Sequence, residues 1–121
     1  MEGKELGLKI CDILYEKKAL AIMLLDVSQS TTITDYMIIA SGRNYLQTKA
    51  LAEDIDDAVA ALGVPLKGKE GRDEGKWILM DYGNVVVHIF HPEHREFYHL
   101  EKLWDHGDNR VPLPFDELPE E

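Results

Sequence analysis

Two stretches of the chain have the three- and four-residue spacing of apolar side chains that is typical of amphipathic helices. In the first, Leu6, Ile10 and Leu14 predict a helix near the start of the chain. In the second, residues 44–62 place their apolar side chains along one stripe and their acidic side chains elsewhere. Gly63 follows where a C-cap glycine is expected, so this second helix is the most clearly bounded element.

Continuous apolar runs between these helices predict buried strands. Residues 19–27 (ALAIMLLDV) form one such run and residues 36–42 (YMIIASG) another. The polar segment 28–35, rich in Ser and Thr, connects them as a loop. Residues 64–67 predict a short edge strand, a position that tolerates Pro65.

Residues 76–90 (KWILMDYGNVVVHIF) predict a β-hairpin, because two strand-like runs flank Gly83 and Asn84. A hairpin with one face in water should alternate apolar and polar side chains, and this one barely does. Alternation along the first strand assigns Ile78, Met80 and Tyr82 to one face and Trp77, Leu79 and Asp81 to the other. Both faces therefore need a cover, supplied by the chain itself or by a partner.

Pro92 suits the first turn of a third helix, and four apolar side chains then line one side of it: Phe97, Leu100, Leu103 and Trp104. The periodicity ends after Asp105. We therefore divide the chain into a domain of residues 1–105 and an acidic, proline-containing tail of residues 106–121, expected to be extended or loose.

The element order predicts an α/β fold with a single mixed β-sheet and helices mainly on one face. Three helices of ordinary length can cover one face of a four- or five-stranded sheet, but they can hardly cover both. The face that carries Trp77, Leu79 and Asp81 combines an aromatic, an aliphatic and a charged side chain, as protein interfaces do. The alternative is that the third helix folds back over Trp77 and buries it in the core.

Charge narrows the choice of partner. Twenty-three acidic and 13 basic residues give a net charge of −10, which argues against direct binding to a nucleic-acid backbone or an acidic membrane. A basic protein surface remains an attractive partner. The chain has no apolar run of the roughly 20 residues that a membrane helix needs and no secretory pattern at its start. Its single cysteine, Cys11, fits a reducing cytoplasm.

Candidate metal and anion sites have weak support. His88, His91 and His94 are close in sequence, but His88 lies on a predicted strand and His94 on a predicted helix beyond a proline. The acidic side chains of the second helix point around its cylinder and form a solvated face. Arg43 beside that helix's N-terminus leaves an anion site as an alternative, although a single glycine does not make a phosphate loop.

Candidate nucleophiles are equally poorly supported. Ser28, Ser30 and Ser41 lack the Gly-x-Ser-x-Gly frame of a nucleophile elbow. Cys11 lies within the first helix, where a packed and inert thiol is expected. The residues therefore predict no catalytic residue, no metal and no cofactor, which points to a protein that is not an enzyme.

Three segments in the same order resemble the ribosomal silencing factor family, which is also called Iojap-related. The resemblance covers residues 6–104, and its most specific pieces include Asp26 with Ser28, the hairpin positions Trp77, Asp81 and Gly83, and the motif of the third helix. The segments are LDVSQSTTITDYMIIASGRNYLQTKALAEDI, WILMDYGNVVVHIF and REFYHLEKLW.

The resemblance implies a fold similar to nucleotidyltransferases, a homodimer, and a cytoplasmic repressor of translation. Family members bind the large-subunit ribosomal protein L-fourteen and block joining of the small subunit when nutrients are short. The alternative is a nucleotide-handling enzyme of the same fold. Against it, a nucleotidyltransferase needs an Asp-x-Asp pair on a strand, whereas Asp54 and Asp56 lie on a predicted helix.

The resemblance and the apolar hairpin face together predict a partner-binding surface. Trp77 is its expected anchor, Leu79 and Asp81 lie beside it, and the margin is formed by His88 and the end of the third helix near Glu101 and Trp104. Asp81 is expected to pair with a lysine or arginine of the partner.

Overall fold

A computed structural model describes residues 2–72, 76–92 and 100–116. The helices are α1 (Gly3–Glu16), α2 (Tyr45–Ala61) and α3 (Leu100–Trp104). The strands are β1 (Leu20–Asp26), β2 (Tyr36–Ser41), β3 (Gly68–Arg72), β4 (Trp77–Asp81) and β5 (Val85–Phe90). The α/β class and the helix–strand order agree with the sequence prediction; Phe97 of the predicted third helix lies outside the described residues.

The five strands form one sheet in the order β1-β2-β5-β4-β3. β2 pairs with β5 in parallel, and the other three pairings are antiparallel, which confirms a mixed sheet. The predicted hairpin joins β4 to β5 through Gly83 and Asn84, and Gly83 adopts a positive φ of 90°. Glycine has no Cβ and takes this conformation without strain, so it fixes the turn and the register of the two strands.

The position of the edge strand differs from the prediction. Residues 64–67 are not a strand; the edge strand is β3, which begins at Gly68. The first ladder bond is made by the Lys67 backbone N–H, which donates to Asp81 O at 2.8 Å. Val64 and Leu66 instead pack in part against the core, while Pro65 has no N–H to pair.

Helices α1 and α2 cover one face of the sheet. Their apolar stripes and the strand residues beneath them form the main core, which includes Leu6, Ile10 and Leu14 of α1, Leu51, Ile55 and Val59 of α2, and Leu24, Ile38, Met80, Val87 and Ile89 of the sheet. Asn44 caps α2, since its side chain accepts a hydrogen bond from the Gln47 N–H at 2.8 Å. Helices mainly on one face were predicted and are confirmed.

The opposite face, which we call the second face, carries a smaller apolar cluster. Its buried members are Met23, Leu25, Val27, Met37, Ile39 and Phe90, and Trp77 and Trp104 pack against them. Trp104 belongs to α3, so the third helix lies partly over this face, on the side that the alternative in the sequence prediction gave it. The chain itself covers part of the second face.

The segment after α3 packs on the domain as far as it is described. Arg110 pairs with Leu25 of β1, and the Val111 N–H donates to Leu24 O at 2.9 Å. Leu113 is only 4% exposed, and the rings of Tyr15 and Phe115 stack at 4.2 Å. The expected tail is therefore not loose up to residue 116: it forms bends and turns that pack on the domain. The domain boundary at residue 105 stays a prediction, and residues 117–121 lie outside the described residues.

Candidate functional site

The strand register collects the predicted hairpin residues on the second face. Trp77, Leu79 and Asp81 of β4 lie directly opposite Phe90, His88 and Val86 of β5. The next strand, β2, continues two of these rows with Ile39 beside His88 and Met37 beside Val86. Residues opposite one another in a ladder point to the same side, so these side chains form one surface.

A groove of about 330 Å³ runs over this surface. Its walls come from the β1–β2 loop on one side and from Trp104 of α3 on another. The lining residues are Thr31, Ile33, Thr34, Met37, Trp77, Leu79, Asp81, Val86, His88 and Trp104. Five of the six predicted interface residues therefore meet in one place. The side chain of the sixth, Glu101, lies outside the described residues, so its role stays a prediction.

Trp77 is neither fully buried nor free on the surface. Its ring stacks on Phe90 with centroids 5.3 Å apart, and its indole N–H donates a hydrogen bond to His88 Nδ1 at 3.0 Å. The Trp77 side chain is partly exposed, and it lines the groove. This arrangement fixes the ring before any partner arrives, which lowers the entropic cost of using it as an anchor.

His88 lies at the floor of the groove and is 4% exposed. Burial lowers the pKa of its imidazole to about 4, because the charged form would lose hydration. An indole N–H can only donate, so Nδ1 is the acceptor and the proton of the neutral ring is on Nε2. At neutral pH, His88 therefore adds a dipole to the groove and no charge.

Asp81 is the one formally charged residue among the described residues that line the groove at neutral pH. Its Oδ1 accepts the Gly83 N–H at 2.8 Å, so the carboxylate also stabilises the hairpin turn. The groove is thus an apolar surface with one carboxylate at its edge. That combination suits an apolar side chain of a partner next to a lysine or arginine.

The β1–β2 loop contributes to the groove, which was not predicted from the sequence. Thr31, Ile33 and Thr34 line the groove, and Ile33 is 81% exposed. The available signal was an isoleucine isolated in an otherwise polar segment. It was uninformative without the sheet order, which places this loop beside the hairpin.

Other constellations do not assemble a catalytic centre within the described residues. Ser30 Oγ and His106 Nε2 are 3.0 Å apart, which is a distance typical of an activated serine. Both residues line a cavity of about 440 Å³. The adjacent Ser30 and Thr31 N–H groups both donate to Val27 O, so neither is available to stabilise an oxyanion. The contact instead joins the β1–β2 loop to the C-terminal segment.

The remaining candidates for catalytic or metal-binding residues lie in environments that do not favour either role. Burial raises the pKa of the Cys11 thiol, so the reactive thiolate is disfavoured. Asp54 and Asp56 lie on α2, as predicted, and not on a strand. No group of three or more metal-ligating side chains occurs in the described ranges, and His94 is outside them. In the same ranges, no helix is long and apolar enough to cross a membrane.

The chain matches the family model described as ribosomal silencing factor during starvation over residues 2–121. The match continues through residues 106–121, beyond residues 6–104 that carry the resemblance in the sequence. A protein of Bacillus subtilis named ribosomal silencing factor RsfS is 42% identical over 94 residues, covering 78% of this chain and 77% of that protein.

A more distant relative and a solved structure are also similar to this chain. A mouse protein named mitochondrial assembly of ribosomal large subunit protein 1 is 30% identical over 118 residues, covering 93% of this chain and 52% of that protein. A crystal structure of a Chromobacterium violaceum protein superposes with a TM-score of 0.82 at 38% identity, covering 86% of this chain and 87% of that one.

Proposed function

This chain belongs to the ribosomal silencing factor family, and from that membership we propose that it represses translation by steric exclusion. In this proposal it binds the large ribosomal subunit through ribosomal protein L-fourteen, and its bulk then keeps the small subunit from joining. The word starvation in the family's description supports a role when nutrients are short. The name of the mouse relative supports the large subunit as the partner.

The observation that carries the proposal is the groove on the second face. It exposes part of an indole ring, an aliphatic strand residue and a loop isoleucine beside a single carboxylate: Trp77, Leu79, Ile33 and Asp81. Binding energy in protein interfaces concentrates on such preorganised aromatic residues surrounded by apolar contacts. A net charge of −10 favours encounter with a basic ribosomal protein and disfavours contact with bare RNA.

A repressor that acts by steric exclusion needs no catalytic residue. The environments of Ser30 and Cys11, which do not favour a nucleophile, are compatible with such a role. The alternative, a nucleotide-handling enzyme, needs two carboxylates that converge on a metal ion from a strand. Asp54 and Asp56 lie on α2, on the opposite side of the sheet from the groove. We therefore assign this protein no catalytic role.

The proposal includes two properties that rest on the family resemblance. The protein acts in the cytoplasm, where ribosomes assemble, and it forms a homodimer. Light scattering at micromolar concentration tests the second property directly, and a monomeric mass there contradicts it.

The decisive experiment measures melting temperature and large-subunit binding on the same Trp77→Ala protein. Truncating a buried interface aromatic often costs at least ~2 kcal/mol, roughly a thirtyfold loss of affinity. We expect that loss in co-sedimentation with large ribosomal subunits of Bacillus subtilis, together with a melting transition that is lowered but still cooperative. Leu46→Ala is the control, because Leu46 is an equally apolar and 79% exposed residue on α2.

Three results contradict the proposal. Unchanged binding by the Trp77→Ala protein shows that the groove does not contact the subunit. A collapsed melting transition, with about 3–5 kcal/mol of stability lost, shows that Trp77 is a core residue and not an interface anchor. Binding of wild-type protein to the small subunit instead of the large one contradicts the choice of partner.

A further inference from the structure

We propose that Asn109 is a positioning residue for the groove: it fixes Trp104 as the groove wall by joining the end of α3 to the end of β1. This inference rests on the proposed function, because it concerns how tightly the groove binds its ribosomal partner. We call residues 105–116 the C-terminal strap.

Asn109 makes four hydrogen bonds that connect three parts of the chain. Its side-chain Nδ2 donates to Trp104 O at 2.8 Å and to Asp26 O at 3.0 Å. Its Oδ1 accepts the His106 N–H at 2.8 Å, and its backbone O accepts the Asp26 N–H at 2.8 Å. One carboxamide therefore uses both amide donors and its oxygen, and the two carbonyl acceptors fix the orientation of the amide.

These bonds bear on the groove because Trp104 is the last residue of α3. A helix end has carbonyl groups without intrahelical partners, and Asn109 satisfies one of them at the residue that forms the wall. The other end of the link, Asp26, is the last residue of β1, whose neighbour Leu25 belongs to the apolar cluster under Trp104. The link thus sets where the Trp104 backbone lies relative to the second face.

The strap holds Asn109 itself in place. Gly107 has a φ of 88°, which lets the chain reverse between Trp104 and Asn109. Arg110 pairs with Leu25, and Leu113 is buried in the main core, so the strap is fixed beyond Asn109 as well. Trp104 is therefore held between the apolar cluster beneath it and a carboxamide that is fixed on both sides.

The test uses Asn109→Asp and Asn109→Ala in the full-length protein. Aspartate has the same shape and keeps the acceptor for the His106 N–H, but it cannot donate to the two carbonyls at neutral pH. Alanine removes all three side-chain bonds without adding a charge. Asn44→Ala is the matched control, because it removes a hydrogen-bonding asparagine from the cap of α2 on the other side of the sheet.

Two readouts separate positioning from general stability. In a ¹H–¹⁵N spectrum of the free protein, the indole N–H signal of Trp104 should shift in both Asn109 variants, and that of Trp77, which donates to His88, should stay in place. Binding to purified large ribosomal subunits should weaken about tenfold in both variants and stay unchanged in Asn44→Ala. In a Trp104→Ala background, Asn109→Ala should cause no further loss of binding, because the residue acts through Trp104.

An unmoved Trp104 signal or wild-type binding in both Asn109 variants overturns the inference. It is also overturned if Asn109→Ala weakens large-subunit binding as much in the Trp104→Ala background as in the wild-type background. If the variants unfold, the spectrum of the Asn109→Ala protein is recorded at low temperature. An unchanged Trp104 indole signal in the folded fraction then overturns the inference. If wild-type protein does not bind large subunits, the proposed function fails, and the indole spectrum alone decides whether Asn109 positions Trp104.

Discussion

Lowering the pH from 7 to 5 should destabilise the protein through protonation of one buried side chain, His88. The imidazole is 4% exposed, and Nδ1 already accepts the indole N–H of Trp77. A second proton would place a positive charge in an apolar environment and abolish that hydrogen bond, because both ring nitrogens would then be donors. The folded state therefore resists protonation, whereas the unfolded state does not.

The size of the effect follows from the difference between the two pKa values. Burial lowers the pKa of His88 from 6.5 to about 4. Between these values the unfolded chain binds the proton and the folded chain does not, so stability is complete above pH 6.5 and falls as the pH decreases towards 4. At 1.36 kcal/mol per pH unit, the loss is about 2 kcal/mol at pH 5 and about 3 kcal/mol below pH 4.

Carboxylates should contribute to the pH dependence of stability in a separate window at lower pH. Hydrogen bonds from Ser28 lower the pKa of Asp26 below 3.8, and hydrogen bonds from Gly107 and Arg110 do the same for Asp105. A carboxylate with a lowered pKa stabilises the fold above pH 3.8, and this contribution is lost only as the pH falls through its folded pKa. Measurements between pH 7 and pH 4.5 therefore lie above the window of these two carboxylates, and comparison with a variant that lacks His88 isolates its contribution.

The assay is urea unfolding at half-unit pH steps, monitored by far-ultraviolet circular dichroism, on wild-type protein and His88→Gln. Glutamine does not titrate, and its carbonyl can accept the Trp77 N–H. The difference in free energy of unfolding between the two proteins should change by about 2 kcal/mol from pH 7 to pH 5. Parallel pH profiles for the two proteins would refute a buried neutral imidazole at this position.

Two further substitutions test the C-terminal segment and the charge of the groove. Leu113→Ala should lower the free energy of unfolding by about 3 kcal/mol, because it removes a side chain that is 4% exposed in the main core; a change below about 0.5 kcal/mol in urea unfolding would contradict packing of this segment. Asp81→Asn should weaken large-subunit binding with little change in melting temperature, since the amide oxygen can still accept the Gly83 N–H, and Asp81→Lys should weaken it more by adding repulsion from a basic partner. Equal affinities for the Asn and Lys proteins in co-sedimentation would show that Asp81 faces no cation.

The elements with strong local signals were predictable from the sequence. The apolar stripe of α2 and the alternating side-chain directions of β4 depend only on the period of a helix or strand, which is a property of consecutive residues. The same holds for the turn at Gly83, because a positive φ selects glycine locally. The faces of β4 predicted from alternation are those in the structure, with Met80 in the main core and Trp77 on the second face.

Weak local signals misplaced one strand and left the groove incomplete. β3 has the sequence GKEGR, which has neither alternation nor strand-forming side chains, and it is a strand because β4 supplies a ladder of hydrogen bonds. Ile33 and Thr34 looked like an ordinary polar loop. Only the sheet order, in which β2 pairs with β5, places that loop beside the hairpin.

Contacts between distant segments decided the rest. The sequence showed that Trp77 and His88 could share a face, but their hydrogen bond depends on the register that the turn imposes. No pattern in the sequence indicated that Asn109 would join Trp104 to Asp26. Asp26 precedes Asn109 by 83 positions in the chain. Such contacts form because folding brings already patterned elements together, and no periodicity along the chain encodes which pairs meet. The amino-acid sequence thus determined the helices, most of the strands and the apolar character of the second face, whereas tertiary packing decided how much of that face the chain covers and where the groove remains open.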